Sequence, residues 1–237
     1  MGFFSELIGD AVKNSALKAA AKIGKTDEQK KVIDYFFDEG NGGCLSKGMQ
    51  DSEYDSMVKN RLTSINFEER AFSKLGIEKS QVSEVEPIVV EGYYTYSSDL
   101  SDDKLKNLFK IYTKVGADKK TRSSAYQKTC MYFSGDEVFM YQIIFFMDRD
   151  DINEFGKEFF YKDITSFTTK TTTEEHDILK KSGCLKKPTE EKLLIARTEF
   201  RLIVPGDEFA YSLYDNELRE SSIQGIKAKF REAKNSK

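Results

Sequence analysis

The sequence has no tryptophan, one histidine, three cysteines and three prolines in 237 residues. With His176 alone, and Cys44, Cys130 and Cys184 far apart in the chain, no group has metal-ligand spacing. No zinc site and no disulfide framework is therefore expected, and so sparse and odd a set of thiols fits a reducing cytoplasm. The opening "MGFFSELIGDAVKNS" is interrupted by Glu6 and Asp10 before a secretory core could form, and no stretch of about eighteen apolar residues follows. Glu6 also breaks the acylation signal MGxxx[ST]. The formal net charge is only −3, so there is no global basic field to hold nucleic acid. The GxSxG, HExxH and GxGxxG motifs are missing as well, and nothing positive supports an enzyme or a bound cofactor.

What is present describes a folded chain. Charged residues make up 32%, hydrophobic ones 39% and aromatic ones 13%, and that aromatic share is too high for disorder. Phe4, Leu7, Ile8, Val12, Ala16, Ala19, Ala20 and Ile23 recur at helical steps, with Gly24 placed to end a first helix. Thr26 and Gln29 form a capping-box pair before Val32, Ile33, Phe36 and Phe37, and Gly40 is a terminator. Tyr54, Met57, Val58 and Leu62 mark a third helix. Asn66 and Glu69 then open a fourth that Gly76 closes. The glycine-rich "DEGNGGCLSKG" at 38–48 resembles a phosphate loop in composition only. Its lysine follows Ser46, and a helix leads in where a phosphate loop needs a strand, so it is expected to be a helix connection.

At Pro87 the period changes from helical to alternating. "PIVVEGYYTYS" reads as a strand, and "SDDKLKNLFKIYTKVG" as an amphipathic helix. Strands follow at "AYQKTCMYFS", "DEVFMYQIIFFMD" and "EFFYKDITSFTT", the first two forming a hairpin about Ser134–Gly135–Asp136. "LLIARTEFRLIVPG" alternates, with Leu194, Ala196, Thr198, Phe200, Leu202 and Val204 expected inside and Arg197, Glu199 and Arg201 outside. After Pro205–Gly206, "EFAYSLY" is a last strand, and "ELRESSIQGIKAKFREAK" a helix with Ile223, Ile226, Phe230 and Ala233 on one stripe.

The pieces "FYKDI" and "IVPG", between a strand hairpin and a terminal helix with "KAKFREAK", resemble a group of bacterial pleckstrin-homology-like (PH-like) domain proteins of unknown function. The likeness spans 87–237. It implies a platform for lipid headgroups, peptides or protein surfaces, and fold does not choose among these. The expected fold is α+β: a helical region at 1–84, then a PH-like antiparallel β-barrel at 85–237, with a helical insertion at about 99–117 and a closing C-terminal helix.

The candidate site residues follow from that expectation. Eight cations, Lys104, Lys106, Lys110, Lys114, Lys119, Lys120, Arg122 and Lys128, stand against four acids, Asp99, Asp102, Asp103 and Asp118. Lys114, Lys119, Lys120, Arg122 and Lys128 are the candidate anion or lipid contacts, "KKTR" being similar in kind to the basic cluster of phosphoinositide-binding PH domains. Phe3, Phe4, Leu7 and Ile8 are the candidate membrane contacts, with Lys13, Lys18, Lys22 and Lys25 behind them. His176 is expected in a solvated loop, Cys130 as a buried small hydrophobe, and "SFTTKTTTEE" as a strand end running into a loop. Carboxylates such as Asp163 and Glu199 would have to converge in a pocket to make an enzyme. The expected function is a noncatalytic intracellular binding or scaffold module for a protein or peptide. The alternative is a peripheral membrane adaptor on the inner membrane face.

Overall fold

The structure, a computed structural model, describes residues 15–37, 48–82, 86–94, 111–180, 189–214, 224–225, 227–228 and 230–232. Residues 15–21 are helical (α1), and Gly24 turns the chain with φ 71°. Helix α2 (Asp27–Phe37) starts on the expected capping box: the Gln29 amide donates to Thr26 Oγ1 at 3.2 Å, and the Thr26 amide to Gln29 Oε1 at 3.1 Å. Helices α3 (Asp51–Ser64) and α4 (Phe67–Leu75) follow as read, and Gly76 closes α4 at φ 66°. At the start of α4, Asn66 donates to the Glu69 side chain, so the capping-box spacing is present without the backbone cap.

The strands are β1 (Ile88–Tyr93), β2 (Thr113–Val115), β3 (Thr121–Ser123), β4 (Ala125–Phe133), β5 (Glu137–Phe146), β6 (Ile152–Phe160), β7 (Ser166–Lys180), β8 (Thr189–Val204) and β9 (Asp207–Tyr214). They form three antiparallel sheets: β1-β4-β5-β6, the small pair β2-β3, and β7-β8-β9. The hairpin at Ser134–Asp136 is present, with the Ser134 amide donating to the Glu137 carbonyl at 3.0 Å.

Alternation within β4 and β5 decides what packs where. Cys130 and Tyr132 of β4, with Phe139, Tyr141, Ile143 and Phe145 of β5, join Val32, Tyr35, Tyr54, Val58 and Ala71 of the helices in one core. Met131, Phe133, Val138 and Met140 point the other way, into a second core with Phe200, Leu202, Phe209, Tyr211 and Phe230. The four-stranded sheet is thus the middle layer, with α2–α4 on one face and β7-β8-β9 on the other. At its centre both faces are buried, which is why β5 reads as a continuous apolar run.

The structure corrects several expectations. Among the described residues no sheet closes into a barrel: the chain leaves β6, turns through a 3-10 turn at Tyr161–Asp163, and starts β7 paired only with β8. "FYKDI", expected to continue a strand, is this corner, pinned by the Tyr161 amide on the Asp136 carbonyl at 2.9 Å. The closing C-terminal helix is short: its described helical residues are 224, 225, 227, 228 and 230–232. Of the expected insertion, 99–110 lies outside the described residues, and Thr113–Val115 is strand paired with Thr121–Ser123.

In β8 the expected faces hold only in part. Phe200 and Leu202 are buried, but Leu194 is 68% exposed because β9 reaches no further than Arg197 and leaves that stretch with β7 alone. Glu199 is buried, not wet, and accepts a hydrogen bond from Arg201. The threonine-rich run is no strand end: β7 continues to Lys180, so His176 lies in a strand, in register with Leu193.

Candidate functional site

The five basic candidates do not form one surface. Arg122, 3% exposed in its side chain, is drawn inward to carboxylates: Nε and Nη2 donate to Asp55 at 2.7 and 2.8 Å, Nη1 and Nη2 to Asp118 at 2.8 and 2.9 Å. Lys114 donates to the Tyr35 carbonyl at 2.9 Å and lies 4.3 Å from that ring's centroid. Lys128 pairs with Glu91 at 3.2 Å and sits over Phe67. Lys119 and Lys120 remain at the exposed tip of the β2–β3 hairpin. Phe3, Phe4, Leu7 and Ile8 lie outside the described residues, as do Cys44, Cys184, Gly40 and most of the glycine-rich loop.

Around Arg122 the helices are keyed to the sheet. Tyr35 of α2 stacks on Tyr54 of α3 at 4.6 Å, Tyr54 lies 6.0 Å from Tyr93 of β1, and the Tyr54 hydroxyl donates to the Ser123 carbonyl at 2.7 Å. Asp51 accepts from Tyr35 at 2.8 Å and Asp55 from Tyr93 at 2.6 Å. The Arg122 hydrogen bonds hold the Asp118 carboxyl down to about 2, against the opposing cost of burial. The donors and acceptors of this cluster satisfy one another, which makes it a structural lock rather than a binding site.

Chemistry at other sequence candidates is equally quiet. Cys130 is 1% exposed and burial pushes its thiol up to about 11, away from reactivity. Asp163 is exposed on the corner turn while Glu199 is buried in β8 beside Arg201, so the two do not converge. No group of three or more His, Cys, Asp or Glu among the described residues could hold a metal ion.

Two hollows among the described residues bear on function. One, of ≈ 720 Å³, lies between α2, α3, α4 and the end of the middle sheet, with Met57, Ile65, Met147 and Ile152 among its lining beside Arg61 and Arg70. Arg61 donates to the Arg149 carbonyl at 3.1 Å and Arg70 to Glu154 at 3.1 Å, so both guanidiniums already have partners there.

The other, of ≈ 320 Å³, lies where β7 begins. Its lining includes Tyr161, Ile164 and Phe167, then Thr165 and Ser166, then Lys227 and Arg231 at one side of Phe230. Phe230 anchors it, 5.4 Å from Phe167 and 6.3 Å from Tyr161 between ring centroids. Burial pushes the Tyr161 hydroxyl up to about 12, and that hydroxyl donates to the Ser134 carbonyl at 3.1 Å. The described lining thus joins an aromatic floor to two cations and includes no carboxylate.

Thr165, Ser166 and Phe167 place this pocket at the first residues of β7. Among the described residues the sheet order β7-β8-β9 leaves the outer edge of β7 unpaired with any strand along Ser166–Lys180, and Thr168, Lys170, Thr171, Thr173 and Glu175 are exposed. Half of the backbone groups of an edge strand point outward with no ladder partner. Sequence reasoning missed both features. Threonine favours strands, so the alternating "TSFTTKTTTEE" carried a signal for a longer β7, whereas Lys227 and Arg231 read equally well as a helix's basic end. No protein-family model matches the chain, and no curated protein or solved structure matches it at a significant level.

Proposed function

We propose that the protein is a noncatalytic interaction module that joins another polypeptide by strand addition along β7. The observation that carries this reading is the length of the open edge: fifteen residues with no described strand on the outer side. In such recognition the main-chain hydrogen bonds supply affinity and side-chain pockets supply selectivity. The ≈ 320 Å³ pocket at the Ser166 end is placed for the second task, with an apolar floor and Lys227 and Arg231 favouring an acidic neighbour. The resemblance of 87–237 to PH-like proteins agrees with a platform role, which needs no closed barrel. Three scattered cysteines, one a buried thiol, fit the reducing cytoplasm as its compartment. Among the described residues no helix is long and apolar enough to cross a membrane.

The test is selection of displayed twelve-residue peptides against the full chain, followed by amide hydrogen exchange of the complex. Selected peptides are expected to slow exchange in β7 and to lose binding in a Thr172→Lys variant. Peptides that slow exchange elsewhere and leave β7 unchanged would contradict the reading.

A further inference from the structure

Strand addition leaves open whose strand is added, and β7 carries the chemistry of its own match. A free edge about 50 Å long, taking ~3.3 Å per residue, is normally guarded in monomers by proline, bulges or frequent lysines. β7 has no proline, and its only lysines are Lys170 and the terminal Lys180. A second copy lying antiparallel beside it is related by a twofold axis through the sheet. Opposed positions must then share a face, so the axis passes through a residue and not between two.

The registers differ in charge. An axis through Lys170 opposes two lysines, and one through Glu174 or Glu175 opposes two glutamates. With the axis through Thr172, Lys170 of each copy meets position 174, a glutamate, of the other. Thr171 meets Thr173 twice, a favourable cross-strand pair. The same register sets positions 178 and 179, Ile and Leu, beside Ser166 and Thr165, which line the ≈ 320 Å³ pocket. Because the pairing is isologous it occupies both open β7 edges and stops at two copies.

We propose that the strand added to β7 is β7 of a second copy of this chain, paired antiparallel about Thr172 with Lys170 opposite Glu174; this rests on the strand-addition reading above. Sedimentation equilibrium of the full chain tests it, on the wild type, Lys170→Glu, Glu174→Lys, the double reversal and Thr172→Lys, with circular dichroism to verify folding. The expected result is a wild-type dimer, weakened about tenfold or more by each single reversal, which makes two like-charge pairs at once. Thr172→Lys weakens it similarly, and the double reversal restores it. A wild type that stays monomeric at every concentration, while displayed peptides still protect β7 amides, overturns the second copy and leaves strand addition standing. A dimer indifferent to all four variants, with β7 amides exchanging freely, overturns both.

Discussion

Asp55 on α3 and Arg122 on β3 meet in a two-pronged ion pair, Nε to Oδ1 at 2.7 Å and Nη2 to Oδ2 at 2.8 Å, which fastens the helical layer to the strands. The Arg122 side chain is nearly closed to solvent, whereas Asp55 keeps about a third of its exposure. Removing Asp55 strands part of a buried guanidinium and also takes the acceptor of the Tyr93 hydroxyl. Asp55→Ala is expected to cost about 2–4 kcal/mol, the upper half of what one lost partner in a buried pair costs being reduced by its residual solvation. Asp118→Ala, at a more exposed carboxylate, should cost less. Urea unfolding of both variants checks the order, and an Asp55→Ala loss below that of Asp118→Ala would contradict it.

The same cluster sets an acid limit. Asp118 is held at about 2 by its hydrogen bonds to Arg122, below the ~3.9 of an unfolded aspartate. A carboxyl lowered in the folded state contributes stability that is complete above the unfolded value and lost as pH falls through the folded one. Thermal stability is therefore expected to fall between about pH 4 and pH 2, and to fall less steeply in Asp118→Asn. Identical slopes for the two proteins would contradict the assignment.

Gly116 closes against this lock. A Cβ there would overlap the Arg122 guanidinium and the carboxylates of Asp51 and Asp118. Gly116→Ala should lose about 1–3 kcal/mol through overpacking, measured by urea unfolding, although the position lies in a short hairpin where alanine is normally harmless.

Cys130 provides a probe of global opening. In a Cys44→Ser, Cys184→Ser background its alkylation at pH 8 should follow unfolding of the middle sheet, since the thiol is buried and raised to about 11. Alkylation at the rate of a free thiol would show that the sheet opens locally.

Local signals in the sequence were legible where one element decides its own ends. The Thr26–Gln29 box, the left-handed Gly24 and Gly76 and the Ser134–Asp136 hairpin are all chemistry within a few residues. The α+β order of elements followed from the change of period at Pro87. The separation of β7-β8-β9 from the middle sheet did not, because alternation in β7 and β8 states which side chains share a face and is silent on which strand lies across the edge. Arg122 shows the same limit: as a sequence neighbour of Lys119 and Lys120 it counts as one more surface charge, and the carboxylate of Asp55, sixty-seven positions away, joins Asp118 in turning it inward. Of the candidate site, the threonine alternation was visible in β7, while the pocket depends on Phe230 crossing to Phe167 and could not be read from either segment alone.

The most direct test of strand addition is residue-resolved amide exchange along β7 in the full chain, read over a range of protein concentrations and with the selected peptides. The account predicts that alternate amides between Thr168 and His176, those on the outer side, become protected as the partner strand is supplied, while amides facing β8 stay protected throughout. Outer amides that exchange at one unchanged rate under every condition would contradict it.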